Sequence, residues 1–90
     1  MKKTNDDIVL SRFDWPVIRP HSLIPVVAVY KSPKDYPDKY VARVFDLDRP
    51  TRFVFVADTY QELLDKIPVQ QLTRMDRDPR DNPAIVEVWM

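Results

Sequence analysis

Apolar and polar positions change rhythm several times along the chain, and each change marks an element. Residues 26–31 are rich in β-branched side chains and read as a strand. Residues 39–47 and 51–57 are strand-like runs bounded by turn formers, and residues 84–90 form another at the far end. The intervening segments hold those turn formers: residues 32–38 contain two prolines, and residues 48–50 read Asp-Arg-Pro. The rhythm then switches. Tyr60, Leu63, Leu64 and Ile67 stand at i, i+3, i+4 and i+7, one apolar stripe of a helix. Asp58 is placed to cap that helix, with Gln61 three positions on as in a capping box, and Pro68 to end it. A helix this short is marginal alone, so its stripe has to dock on the sheet.

The remaining segments are less regular. Residues 8–25 mix Ile8, Val9, Phe13, Trp15 and Ile18 with Pro16, Pro20 and Pro25, which forbid a long helix and withhold ladder donors. They read as an extended N-terminal arm over 1–25, with a short edge strand near residues 8–13. Residues 68–83 read as irregular, with Leu72 as their anchor in the core. The prediction is one α+β domain over 26–90: an antiparallel sheet of about four strands, β-β-β-α-β, with one helix on one face.

Strand side chains alternate between faces, and here neither face is convincingly polar. Tyr40, Ala42 and Val44 oppose Val41, Arg43, Phe45 and Leu47; Phe53, Phe55 and Ala57 oppose Val54 and Val56; Ile85, Glu87 and Trp89 oppose Ala84, Val86 and Val88. One short helix covers one face. The other is covered by the arm, through Phe13, Trp15, Val17 and Ile18, or it is left for a partner protein or a second copy.

Composition narrows the chemistry. Ninety residues without cysteine must hold together by packing alone, with neither disulfides nor thiolate metal sites. There is no glycine, which excludes a P-loop, a glycine-rich dinucleotide turn and a nucleophile elbow. Turns that need positive φ are expected to use Asn or Asp, or to give way to proline bends. The 14 basic and 14 acidic residues balance overall, and largely locally, which argues against nucleic acid as the main partner. No apolar segment follows Lys2 and Lys3, and the longest apolar run is far short of the roughly 20 residues of a membrane span, so a cytoplasmic protein is expected.

The candidate chemistry is sparse. His21 is the only histidine and reads as a surface residue. Asp46 and Asp48 form a D-x-D that suits a hard cation, or simply a turn. No Asp or Glu is followed two places later by Lys, so the PD-(D/E)xK nuclease motif fails. Lys31, Lys34, Arg74, Arg77 and Arg80 are the candidate nucleic-acid contacts, although Asp76, Asp78 and Asp81 are interleaved with the arginines. Tyr36, Tyr40, Arg43, Phe45, Glu87 and Trp89 are the candidate partner-binding residues, with Arg43 and Glu87 as a pair across the second face. No metal site and no cofactor are expected, and no enzymatic activity.

Residues 39–48 (KYVARVFDLD) and 58–64 (DTYQELL) resemble the N-terminal domain of HicB-type antitoxins, in the strand ending at an acidic D-L turn and the D-T helix opening. That resemblance implies a β-β-β-α-β core. The family's glycine after the turn is missing, and no DNA-binding module follows. Residues 32–43 (SPKDYPDKYVAR) and 85–89 (IVEVW) are similar to small uncharacterised proteins of phages and mobile elements of Gram-positive bacteria. This second resemblance implies an accessory role, as an inhibitor of a host, toxin or defence protein. The expected function is a non-enzymatic protein-binding module whose partner is another protein or a second copy of the chain; the alternative is a small nucleic-acid-binding module.

Overall fold

A computed structural model describes residues 7–75 and 84–90 of the chain. Its strands are β1 (Ile8–Val9), β2 (Pro25–Lys31), β3 (Tyr40–Asp46), β4 (Arg49–Ala57), β5 (Arg74–Met75) and β6 (Ile85–Trp89). They form one sheet in the order β1-β4-β3-β2-β6-β5. β1 runs parallel to β4, and every other pair is antiparallel. The α+β expectation stands, but the sheet has six strands rather than four and is mixed. The two strands beyond those four, β1 and β5, are two residues each and lie at the edges; β1 is the short edge strand expected near residues 8–13, whereas β5 arises in the segment read as irregular. Short edge strands leave little backbone for another chain to pair with.

Two short helices replace the single one expected: α1 (Trp15–Ile18) and α2 (Tyr60–Leu64), followed by a 3-10 turn at Val69–Gln71. α1 arises inside the segment read as an extended arm. Pro16 sits in its first turn, where a missing N–H costs nothing. The α2 cap is Thr59 rather than Asp58. The Thr59 hydroxyl accepts the Glu62 N–H, while Asp58 pairs with Lys39. Pro25 opens β2, the strand position that tolerates proline.

The core lies on the α2 side of the sheet. Val27, Val29, Ala42, Val44, Phe53, Phe55 and Ala57 line it, and Leu63 and Ile67 cover it. Tyr60, Leu64 and Leu72 pack at its margin, so the whole apolar stripe docks as expected. The N-terminal segment covers this same side. Ile18 is fully buried in the core, and Phe13 stacks on Phe55 with ring centroids 5.8 Å apart. The arm therefore does not cover the second face. Phe13 and Ile18 meet the larger apolar surface beside Phe53 and Phe55, and β1 pins the segment to the edge next to them.

The second face divides in two. Near β3 and β4 it is closed: Val41 and Val54 are buried, and Pro33 and Tyr36 of the 32–38 loop border a cleft with Tyr30, Val41 and Arg43. Toward β5 and β6 it opens: Met75, opposite Val88, is exposed, as are Val86 at the β6 bulge and Met90 past the end of β6.

Candidate functional site

Three clusters gather the polar and exposed apolar groups. The first is built around Glu87. Alternation along β6 turns its side chain to the core side, where it is 3% exposed. Three donors reach it: the Tyr60 hydroxyl at 2.6 Å, Arg74 Nε at 2.9 Å and Trp89 Nε1 at 2.8 Å. Burial alone pushes the Glu87 carboxyl up. The hydrogen bonds from Tyr60, Arg74 and Trp89, with the Arg74 charge, outweigh it and hold the group below the usual carboxylate range. Tyr60 responds the other way. Burial, then the bond to Glu87 and its charge, push the phenol up to about 12. The cluster joins α2, β5 and β6, and every donor aimed at Glu87 is matched by a carboxylate oxygen.

The second cluster lies on the opposite face. Asp7 Oδ2 accepts from the Tyr36 hydroxyl at 3.0 Å and from Arg43 at 2.9 Å, and Arg43 also donates to the Thr51 carbonyl. Arg43 and Glu87 thus do not pair. Ala28 is opposite Arg43 on one side and Val88 on the other, so Arg43 shares a face with Val88, and Glu87 points away from both. The six residues singled out for partner binding are likewise divided. Tyr40, Glu87 and Trp89 lie on the core side, with Tyr40 edge-on to Tyr60, whereas Tyr36, Arg43 and Phe45 belong to the second face.

The third cluster is the end of the sheet where the β3–β4 turn meets the chain entering β2. Asp46 Oδ1 accepts the N–H groups of both Leu23 and Ile24 at 3.1 Å. The Leu47 N–H donates to the Ile24 carbonyl, and the buried Ser22 hydroxyl donates to the Phe45 carbonyl. Asp46 thus acts as a structural brace at the turn, and no cluster of three or more His, Cys, Asp or Glu side chains placed to hold a metal occurs among the described residues. With the polar groups turned inward, Leu23, Ile24 and Leu47 project outward, 80%, 51% and 55% exposed. Leu47 also takes φ 57°, and Ser32 and Asp38 are the other positive-φ residues among those described, so Leu and Ser as well as Asp fill the role expected of Asn or Asp.

No family model, curated protein or solved structure matches this chain.

The basic residues do not converge among the described positions. Lys31 bonds through its N–H to Ala84 at one end of β6, whereas Arg74 is opposite Trp89 at the other, roughly 16 Å away at strand rise. Arg74 is also committed to Glu87. Lys34 lines the cleft beside Tyr36. Arg77 and Arg80 lie outside the described residues. His21 is exposed and stands edge-on to Phe53. No described helix is long and apolar enough to cross a membrane.

Sequence reasoning missed the third cluster. Leu23 and Ile24 read as part of the arm, and Leu47 as the last residue of a strand. The available signal was a leucine between two aspartates at a turn, with two more large apolar residues just before Pro25.

Proposed function

We propose that this chain is a non-enzymatic protein-binding module: a cytoplasmic accessory protein of a phage or mobile element that neutralises a partner protein, of antitoxin or anti-defence type. One observation carries the reading. Among the described residues, six of the nine exposed large apolar side chains fall into two groups. Leu23, Ile24 and Leu47 stand where the β3–β4 turn meets the chain entering β2, and Met75, Val86 and Met90 lie along β5 and β6, while Ile8, Val9 and Val17 lie elsewhere. β2 and β6 are neighbours in the sheet, with Val27 opposite Trp89 at the end nearer the first group. A concentrated apolar surface on a small protein marks an interaction site more often than scattered apolar residues do. The sparse chemistry agrees with it, because the buried carboxylate Glu87 is occupied by three structural bonds.

Photo-cross-linking tests the reading. A photoreactive residue at Val86 or Met90, in the full chain expressed in its host, should give one discrete protein adduct that is absent when the same residue replaces the exposed Gln61. Equal labelling from all three positions, or from none, overturns it.

A further inference from the structure

We propose that Met75 and Met90 together form a reversible oxidation site, at which a peroxide makes the open half of the second face polar while the chain stays folded. The site depends on no partner protein.

Sulfur occupies few places in this chain. There is no cysteine, and of the three methionines Met1 lies outside the described residues. Methionine commonly fills gaps in a core, where its flexible thioether adapts to irregular space. Neither described methionine does so. The buried apolar residues among those described are Ile, Val, Ala, Phe and Leu, while Met75 and Met90 are 45% and 49% exposed.

The register sets the two side by side. Met75 is opposite Val88, and reciprocal backbone hydrogen bonds between Thr73 and Met90 extend the β5–β6 ladder by one pair. Side chains two apart on a strand share a face, so Thr73 and Met75 stand on the same side as Val88 and Met90. Met75 and Met90 are then diagonal neighbours roughly 7–8 Å apart, within reach of side chains this long. Val88 is opposite Ala28 and Ala28 is opposite Arg43, which places both thioethers on the second face.

The chemistry needs only a peroxide. A lone pair of the thioether sulfur attacks one oxygen of hydrogen peroxide, the O–O bond breaks and an S–O bond forms. The proton on the transferred oxygen passes to the departing hydroxide, which leaves as water. Sulfur is oxidised by two electrons and the peroxide is reduced by two. The sulfoxide is polar, and two classes of methionine sulfoxide reductase, one for each epimer, return it to the thioether. In a core this change would disrupt packing. Here the backbone is held by the Thr73–Met90 bonds and by the Arg74–Glu87 pair, neither of which uses a methionine side chain. Two sulfoxides therefore alter the surface and leave the ladder in place.

Peptide mapping by mass spectrometry, after hydrogen peroxide treatment of the folded full chain, tests the site. Met75 and Met90 should each gain one oxygen at a rate within about tenfold of free methionine in the same tube, as their exposure dictates. The oxidised chain should keep a cooperative melt, its midpoint moved by no more than about 4 °C. On a hydrophobic-interaction column it should elute earlier than the untreated chain. The Met75→Leu/Met90→Leu variant, which still carries Met1, should shift far less under the same treatment. Both reductases together should restore the mass and the elution position. Protection of either methionine beyond that range, loss of the melt, an equal shift in the double variant, or a sulfoxide that the reductases leave in place overturns the proposal.

Discussion

The Glu87 cluster and the Leu23 tip are built by opposite rules. At Glu87 a charge is buried among apolar side chains and satisfied by three donors from α2, β5 and β6. At the tip apolar side chains face water while a carboxylate and the backbone satisfy each other beneath them. The first arrangement is costly to disturb, because desolvated donors would be orphaned. The second exposes what folding would hide. Substitutions should therefore separate the two regions by sign as well as by size.

The largest effect belongs to Glu87→Ala. It leaves the part-buried Tyr60 hydroxyl and Trp89 indole N–H without their acceptor, at about 1–3 kcal/mol each, while the half-exposed Arg74 side chain returns to solvent. Against a total stability of about 5–15 kcal/mol, that places the variant near unfolding. Urea denaturation should show the loss directly, with Glu87→Gln less affected because its carbonyl still accepts one bond. The same contacts fix an acid dependence. The folded carboxyl lies below its usual range, so the stabilisation is complete above the ordinary carboxylate pKa and disappears as pH falls through the folded value. The acid limb of a stability-against-pH curve should flatten in Glu87→Gln.

Tyr60→Phe comes next, with an expected loss of about 1.5–3 kcal/mol for a hydrogen bond to a charged acceptor. It also carries an alkaline signature. The folded phenol titrates at about 12, above its ordinary value of 10.0. The stabilisation is complete below 10 and is lost as pH rises toward 12. Wild type should lose stability across that interval, and Tyr60→Phe should lose less. Equal slopes would mean that Tyr60 is neither buried nor bonded to Glu87 in solution.

At the tip the sign reverses. Leu47→Gly should raise stability by about 1 kcal/mol, since a left-handed residue with a Cβ costs roughly 1–2 kcal/mol and glycine's greater unfolded-state entropy returns part of that. A higher urea midpoint with an unchanged slope is the expected result. A lower midpoint would mean that the exposed Leu47 side chain is held by packing, and the contrast between the two regions would weaken.

What the sequence revealed follows from which interactions are local. The stripe Tyr60, Leu63, Leu64 and Ile67 is set by helix geometry within eight residues, and it docks as read. The sides of most strands were also legible, because alternation is local; in β6 a bulge sets Ile85 opposite Tyr30 and off the side that Glu87 and Trp89 share. How the sides of neighbouring strands match was not: that Arg43 and Val88 share a face depends on the register through Ala28. The cap shifted by one residue because Asp58 and Thr59 both suit it and Lys39, distant in sequence, takes Asp58. A short edge strand was expected near residues 8–13 and is β1, but β5 has no pattern of its own, since two residues cannot show a period and it exists only through its neighbour. In the Glu87 cluster the sequence marked the acid as unusual without identifying its donors. At the tip it marked the Asp46-Leu47-Asp48 turn without showing that Leu23 and Ile24 fold against it.

The smallest expected effect separates the regions most sharply. Leu23 is 80% exposed, and Asp46 holds its backbone N–H whatever side chain is present. Leu23→Ser should therefore leave stability within about 0.5 kcal/mol of wild type, the ordinary range for a surface substitution. That near-zero is informative because leucine there adds exposed apolar surface that serine would not. A protein selected for folding alone has no reason to keep it, whereas one selected to dock does. If urea denaturation instead gives Leu23→Ser a loss of about 2 kcal/mol, in the range of a buried leucine truncation, the side chain belongs to the core and the tip is one more piece of packing.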